Sequence, residues 1–197
     1  MIPKSGIFIS TYMNSHRERE DILIAEAAKT DITGLRVEGY QKVYDAKFTT
    51  DKYIVGLKKR TVNGQIYTTS LESEASQLAL EGADMIAVDY RCMNLISFVH
   101  DALKLPVMVD VADISSALKA MDLGADIVSS TFVPHIYQSY FIEELNLYNE
   151  LLINAEGGWT PETVPLAKEI GADWVTIGAA VHDYTSIINS IDKGWVE

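Results

Sequence analysis

The chain has 197 residues, 48% of them hydrophobic and 22% charged, which predicts a single domain over residues 1–197 with a full hydrophobic core. A formal net charge of −12 argues against a broad surface for nucleic acid or for anionic membranes, and a lone cysteine excludes a disulfide framework. Since the sequence shows neither a signal-peptide pattern nor an apolar run that could span a bilayer, a cytoplasmic protein is the expectation.

Eight short apolar segments, most of them rich in β-branched residues, are predicted as strands. In chain order they are Gly6–Ser10, Thr33–Val37, Tyr53–Leu57, Asp84–Asp89, Pro106–Asp110, Asp126–Ser130, Leu151–Ala155 and Asp173–Gly178. Helical patterns lie between most of these segments. The clearest apolar helix face is formed by Ile114, Ala117, Leu118 and Met121. Alternating strands and helices indicate an α/β fold.

A Gly-Ala-Asp tripeptide occurs three times, each time between a helical segment and a predicted strand, with its copies beginning at Gly82, Gly124 and Gly171. Glycine supplies the left-handed turn that ends a helix, and we expect each aspartate to be a turn residue without a chemical role. The spacing of about forty residues is that of one helix, one strand and their loops. With eight strands, it predicts a compact (β/α)8 TIM barrel with shortened helices, while an incomplete barrel is the alternative. The sixth helix, within Pro134–Asn149, is expected to be reduced, and the second, near Gln41–Lys47, is also expected to be short.

Ionisable residues end five of the predicted strands. They are Arg36, the run Lys58-Lys59-Arg60, Asp89, Asp110 and Glu156. Any one of them could simply mark the end of a strand. The carboxyl ends of barrel strands, however, converge on the mouth where barrel enzymes hold their catalytic residues. The five ends together therefore predict an active site at this mouth.

Lys59 and Glu156 are the candidate acid–base pair. A lysine among apolar strand residues loses solvation of its ammonium group, which brings its pKa toward neutral pH and suits it as a base. A carboxyl group in the same site can have its pKa raised enough to act as an acid. A base and an acid on opposite faces of a carbon can invert a stereocentre next to a carbonyl group. Arg36 and Asp110 would position hydroxyl groups and neutralise developing charge.

Small residues after the last two strands are the candidate anion site. Gly157-Gly158 and Gly178-Ala179 lie where barrel enzymes bind phosphate through backbone amides, although tight turns alone would also explain them. Trp159 could stack on a sugar or cover the barrel core. None of the four histidines ends a predicted strand, so a metal site is not expected.

Seven segments of the chain follow one another in an order that is typical of one family. They are Gly6–Ser10, Thr33–Arg36, Val55–Arg60, Ala87–Asp89, Val107–Ala112, Ala155–Gly157 and Ile177–Ala180. Together they resemble the N-acetylmannosamine-6-phosphate 2-epimerases over nearly the whole chain. The resemblance implies a cofactor-independent isomerase of sialic acid breakdown, and a homodimer. It would interconvert N-acetylmannosamine 6-phosphate and N-acetylglucosamine 6-phosphate by proton transfer at C2.

The resemblance also implies roles for residues at matching positions. Lys59 matches the catalytic base and Glu156 its partner acid, while Arg36 and Asp110 match residues that hold the sugar. The further expected substrate contacts are Asp89, Tyr12 (where the family usually has glutamine), Gly157, Gly158, Gly178 and Ala179.

The chain departs from the family pattern after the last strand. The family's Thr-Arg-Pro, whose arginine meets phosphate, is replaced by His182-Asp183-Tyr184. A carboxylate about 4 Å from a phosphate would cost about 4 kcal/mol for each pair of like charges. Either Asp183 points away and His182 or Arg60 replaces the arginine, or the ligand is not the usual phosphosugar. A Schiff-base aldolase that uses Lys59 and a non-catalytic sugar-binding barrel are the alternatives.

Overall fold

A closed barrel of eight parallel strands forms the core of the computed structural model, which describes residues 1–11, 20–148, 151–178, 180, 185 and 188. The barrel strands are β1 (Gly6–Ser10), β2 (Gly34–Glu38), β3 (Tyr53–Leu57), β6 (Met85–Asp89), β7 (Val107–Asp110), β8 (Ile127–Ser129), β9 (Leu152–Glu156) and β10 (Trp174–Ile177). Neighbours around the barrel follow the order β1-β10-β9-β8-β7-β6-β3-β2, and pairing of β1 with β2 closes it. The predicted (β/α)8 barrel is therefore confirmed.

Short helices connect the strands. They are α1 (Glu20–Ala27), α2 (Tyr40–Thr49), α3 (Glu72–Leu80), α4 (Leu95–Phe98), α5 (Ile114–Asp122), α6 (Gln138–Leu145) and α7 (Val164–Glu169), with a π-helical turn at Val99–Leu103. The prediction of a reduced second helix is wrong: α2 has ten residues, because Gly39, with φ of 94°, turns the chain from β2 directly into the helix. The sixth helix, α6, has eight residues. Among the described residues, no helix is long and apolar enough to cross a membrane.

The three Gly-Ala-Asp sequences are helix-ending turns. Their glycines have φ of 95°, 89° and 97°, a region in which a side chain would be strained. Each alanine amide then donates to a carbonyl of the preceding helix, which satisfies one of its terminal acceptors. Each aspartate accepts a backbone amide of the neighbouring strand: Asp84 from Ile54, Asp126 from Val107 and Asp173 from Ile153, at 2.8 to 2.9 Å. The tripeptide thus ends a helix and fixes the base of the next strand pair.

Side chains alternate along each strand between the barrel interior and the layer of helices. The lower interior holds an apolar cluster of Phe8, Val55, Leu57, Met85, Ala87, Met108, Ile127 and Trp174. The rings of Phe8 and Trp174 stack there with centroids 4.1 Å apart. Asp110 lies two residues beyond Met108 on β7, so its side chain also points into the barrel. The strands therefore carry apolar groups low in the barrel and ionic groups at its mouth.

A β-hairpin that the sequence analysis did not include follows β3 directly after Lys59. Its strands, β4 (Arg60–Val62) and β5 (Gln65–Tyr67), are antiparallel. The turn between them is Asn63-Gly64, with φ of 51° and 78°, the sequence pair that favours a tight hairpin. This Asn-Gly pair was the available signal. The preceding run of basic residues indicated the end of a strand and a place in the active site, and gave no sign of a hairpin.

Candidate active site

Three of the predicted residues form one ionic cluster inside the barrel mouth. Arg36 Nη2 lies 2.9 and 2.7 Å from the two carboxylate oxygens of Asp110, and Arg36 Nη1 lies 2.5 Å from Glu156 Oε2. Arg36 and Asp110 are almost completely buried, whereas 14% of the Glu156 side chain is exposed. One guanidinium thus joins the ends of β2, β7 and β9, and it leaves Glu156 as the most accessible member of the three.

Hydroxyl and amide groups hold the two carboxylates of this cluster. Thr131 Oγ1 donates to Asp110 Oδ1 at 2.7 Å and lies 3.3 Å from Glu156 Oε2. Ser129 Oγ donates to the same Glu156 oxygen at 3.2 Å, and Asn154 Nδ2 donates to Ser129 Oγ at 2.8 Å. The sequence analysis missed these three supporting residues. Their position near the ends of β8 and β9 could have indicated them, since Asn154 lies two residues before Glu156 and points into the barrel like it.

Lys59 lies beside the cluster, between the end of β3 and the hairpin. Desolvation by burial lowers the pKa of its ammonium group, and the positive charge of Arg36 lowers it further. The carboxylates of Glu156, Asp110 and Glu38 act in the opposite direction, but the net pKa remains below its ordinary value. A larger share of neutral amine is therefore present near pH 7 than for a solvated lysine.

Glu156 has its pKa shifted in the opposite direction to that of Lys59. Burial is the largest effect and raises the pKa of the carboxyl group. The charge of Arg36 lowers it, Asp110 raises it, and Lys59 and the Ser129 hydrogen bond lower it, with a net rise. A carboxyl group with a raised pKa can hold a proton until a reaction step needs it.

The glycine turn after β9 is held from behind by a buried glutamine. Gln138 Nε2 lies 2.5 Å from the Glu156 carbonyl oxygen and 3.0 Å from that of Gly157. Gly157 and Gly158 have φ of 102° and 90°, and a Cβ on Gly157 would lie 2.9 Å from Gln138 Nε2. Trp159 is buried and donates its indole N–H to Gln138 Oε1, so it covers the core rather than a sugar.

Other predicted residues are not in the ionic cluster. The buried carboxylate of Asp89 accepts from Arg91 at 2.7 Å and from the Thr68 amide at 3.1 Å. Arg60, the suggested replacement for a phosphate-binding arginine, donates to Ser70 Oγ at 2.7 Å. Gly178 directly follows β10 beside Ser10. Tyr12, Ala179, His182 and Asp183 lie outside the described residues.

Known structures match the whole barrel. The N-acetylmannosamine-6-phosphate 2-epimerase from Clostridium perfringens gives a TM-score of 0.81 at 22% identity, covering 96% of this chain and 93% of that one. The thiamine phosphate pyrophosphorylase from Pyrococcus furiosus gives 0.75 at 13% identity, covering 96% and 95%. At these identities the two matches establish the fold alone.

Sequence comparisons define the family. The NanE family model, described as "Putative N-acetylmannosamine-6-phosphate epimerase", matches residues 22–194. A Haemophilus influenzae protein named "Putative N-acetylmannosamine-6-phosphate 2-epimerase" is 30% identical over 172 residues, which are 80% of this chain and 75% of that protein. A relative with the same name from Clostridioides difficile is 27% identical over 167 residues, covering 75% and 74%. The chain therefore belongs to the N-acetylmannosamine-6-phosphate 2-epimerase family, a family of isomerases.

Proposed function

We propose that this protein interconverts N-acetylmannosamine 6-phosphate and N-acetylglucosamine 6-phosphate without a cofactor, with Lys59 and Glu156 transferring the protons. The main support is one juxtaposition. Glu156, whose carboxyl group has a raised pKa, contacts the buried guanidinium of Arg36, and Lys59, whose amine has a lowered pKa, interacts electrostatically with both. The names of the relatives supply the substrate.

Epimerisation at C2 requires an acidic C–H bond, which the open-chain aldehyde provides next to its carbonyl group. The neutral amine of Lys59 removes the C2 proton, and the electron pair of that bond moves into the carbonyl group to form an enolate. Protonated Glu156 then delivers a proton to the opposite face of C2 and becomes a carboxylate. The reverse reaction begins with Lys59 protonated and Glu156 ionised. Arg36, which donates to both carboxylate oxygens of Asp110, supplies the positive charge that stabilises the enolate.

The phosphate of the substrate is proposed to bind the Gly157-Gly158 turn and the residues that follow β10. The left-handed glycines leave room for the side chains of Gln138 and His135, which both contact the Gly157 carbonyl oxygen and so hold the backbone of the turn in place. Arg60 is a weaker candidate for this role, because Ser70 and Glu74 already engage its guanidinium group. A comparison of kcat/KM for phosphorylated and unphosphorylated N-acetylmannosamine would measure what the phosphate contributes.

Proton NMR of N-acetylmannosamine 6-phosphate with the protein in deuterated water tests the reaction. We expect the C2 proton signal to disappear while the N-acetylglucosamine epimer appears, because the proton delivered to C2 comes from solvent-exchanged groups. No exchange with folded protein would overturn the proposed substrate, and the unphosphorylated sugar would be measured next.

Single variants test the two roles. We expect Lys59→Ala and Glu156→Gln each to lower kcat by about 10²- to 10⁴-fold while circular dichroism stays unchanged. Lys119→Ala and Glu169→Gln are matched controls, since both residues are exposed on helices remote from the cluster. Retained epimerisation in either Lys59→Ala or Glu156→Gln would contradict the mechanism.

A Schiff-base reaction at Lys59 is the competing function, because a lowered pKa also favours amine attack on a carbonyl group. Borohydride reduction in the presence of substrate separates the two possibilities. An epimerase base leaves the protein mass unchanged, whereas a Schiff base leaves a reduced adduct that maps to Lys59.

A further inference from the structure

We infer that Glu38 and Thr69 are positioning residues that fix the backbone carrying Lys59 from both sides. The Lys58 amide donates to Thr69 Oγ1 at 3.1 Å, and the Lys59 amide donates to Glu38 Oε1, also at 3.1 Å. The inference deepens the proposed function, because it rests on Lys59 being the base. Neither residue emerged from the sequence analysis as part of the site.

The topology explains why this short segment needs side-chain partners. Strand β3 ends at Leu57 and pairs with β6 at two positions lower in the barrel. Above them, the chain returning from the hairpin enters beside β6: Thr69 forms a parallel bridge with Val88, and its carbonyl group accepts the Asp89 amide. The Thr69 side chain then bonds the Lys58 amide in place of a strand ladder. A hydroxyl group is the only acceptor this side chain can offer.

Glu38 combines the positional role with an electrostatic one. Its Oε1 also accepts from Lys58 Nζ at 2.9 Å, and its side chain is largely buried. The charged groups that act on Lys59 are Arg36 and Glu38 from β2, Asp110 from β7 and Glu156 from β9. Of these four, Glu38 also accepts a hydrogen bond from the Lys59 backbone amide. Replacement by glutamine keeps the acceptor and removes the charge, whereas alanine removes both.

Two substitutions at Thr69 distinguish the role of its hydroxyl group in positioning Lys59 from the role of its side-chain volume. We expect Thr69→Val to lower kcat by about tenfold or more with KM within about threefold, because the base is displaced while the sugar contacts remain. Thr69→Ser keeps the hydroxyl group and should stay within about threefold of the wild type in kcat. Thr61→Val, at an exposed position on β4, is the control for loss of a threonine hydroxyl group. Equal kcat values for the valine and serine variants at position 69 would overturn the role of Thr69.

The pH profile tests Glu38. Because Glu38 raises the pKa of Lys59, Glu38→Gln should move the acid limb of kcat/KM to lower pH while the maximal rate stays within about threefold. Glu38→Ala should move the limb in the same direction and also lower the maximal rate. An acid limb that does not move in Glu38→Gln, or a maximal rate unchanged in Glu38→Ala, would overturn the role of Glu38.

A substrate-free measurement distinguishes failure of this inference from failure of the proposed function. The Lys59 side-chain signal of ¹³C-lysine-labelled protein, assigned by Lys59→Arg, is titrated in the wild type and in the variants. If the wild type catalyses no C2 exchange, the proposed function fails. A Lys59 titration that differs between Thr69→Val and Thr69→Ser would still support the positioning role of Thr69. Identical titrations in those two variants would refute it. If Thr69→Val does not fold, the Lys59 titrations of Glu38→Gln and Glu38→Ala are compared instead. A difference between these two variants supports the positioning of the Lys59 backbone by a side-chain acceptor, and identical titrations refute it.

Discussion

The lower and upper halves of the barrel interior consist of the same strands but hold opposite kinds of side chain. Below, Phe8 stacks on Trp174 within a wholly apolar cluster. Above, Arg36 binds two carboxylates, and its Nη1 lies 3.3 Å from Met108 Sδ, where the two halves meet. Burial of apolar surface stabilises the fold by about 25 cal/mol per Å², whereas burial of ions costs free energy unless every charge is paired. The lower half therefore contributes stability, and the upper half holds groups suited to proton transfer.

The two halves also differ in how they tolerate change. An apolar cluster loses free energy in proportion to the atoms removed, because its contacts are many and individually weak. An ionic cluster depends on completeness, since removal of one partner leaves a buried charge unpaired. Substitutions can therefore affect the two halves separately, and the predictions below follow from the largest expected effect to the smallest.

Arg36→Met should cause the largest loss. It leaves the carboxylates of Asp110 and Glu156 buried without their cation, so we expect the free energy of unfolding to fall by about 3 to 5 kcal/mol and the epimerase activity to be lost. Urea denaturation measures the first effect and C2 proton exchange the second. The double variant Arg36→Met/Asp110→Asn should recover part of the stability and none of the activity. A double variant less stable than Arg36→Met would mean that charge imbalance is not the cause.

Phe8→Leu should show the opposite pattern in the lower half. Loss of the aromatic stack with Trp174 should lower the free energy of unfolding by about 1 to 2 kcal/mol. Because Phe8 belongs to the lower apolar cluster, kcat and KM of the folded protein should remain within about twofold. Kinetics below the unfolding transition, together with a urea titration, check both parts. A large fall in kcat would show that the two halves are mechanically coupled.

The barrel was predictable from sequence because its signals are local. Each Gly-Ala-Asp sequence indicates the end of a helix and the start of a strand. The strand β1 has the predicted bounds, Gly6–Ser10. Charged residues at strand ends also indicated where Arg36, Asp110 and Glu156 would converge. Helix lengths were less predictable, as α2 illustrates, since helix ends depend on packing as well as on composition.

Two parts of the site could not be predicted because they depend on contacts between distant segments. Thr69 lies eleven residues after Lys58 and reaches its amide only because the hairpin folds back beside β6. Gln138 bonds a glycine turn that follows a different strand, and nothing in its own sequence neighbourhood indicates this partner. Chemically simple side chains such as these acquire their roles from the fold.

Lys59→Met should increase stability while removing activity, because the site holds a group that the fold disfavours in its charged form. The pKa of Lys59 is lower in the folded protein than in the unfolded chain, so between the two values the unfolded chain binds more protons and stability rises with pH. Below the folded pKa, Lys59 is charged in both states, so its destabilising effect is at its full size and no longer changes with pH. At pH 7 we expect Lys59→Met to be more stable by about 1 kcal/mol. The difference from the wild type should shrink as pH rises toward 10, and urea titrations at several pH values would measure it.

Lys119→Met is the matched control for that series, since Lys119 is an exposed lysine on α5. Its stability should stay close to that of the wild type at every pH. A stability difference for Lys59→Met that does not change with pH would indicate a packing effect and would contradict the electrostatic explanation.

Tyr67→Leu should have the smallest effect, because it weakens the support of the hairpin without touching the ionic cluster. The guanidinium carbon of Arg91 lies 3.7 Å from the centroid of the Tyr67 ring, and loss of this contact should cost about 0.5 to 1 kcal/mol. Amide hydrogen exchange over residues 60–67 should become faster. The value of kcat should fall less than in Thr69→Val, since the hydrogen bond between Thr69 and the Lys58 amide remains. Tyr44→Leu, which removes an aromatic contact with Phe48 on α2, is the control and should leave kcat unchanged. If Tyr67→Leu lowered kcat as far as Thr69→Val does, the hairpin as a whole, rather than the Thr69 hydroxyl group, would position Lys59.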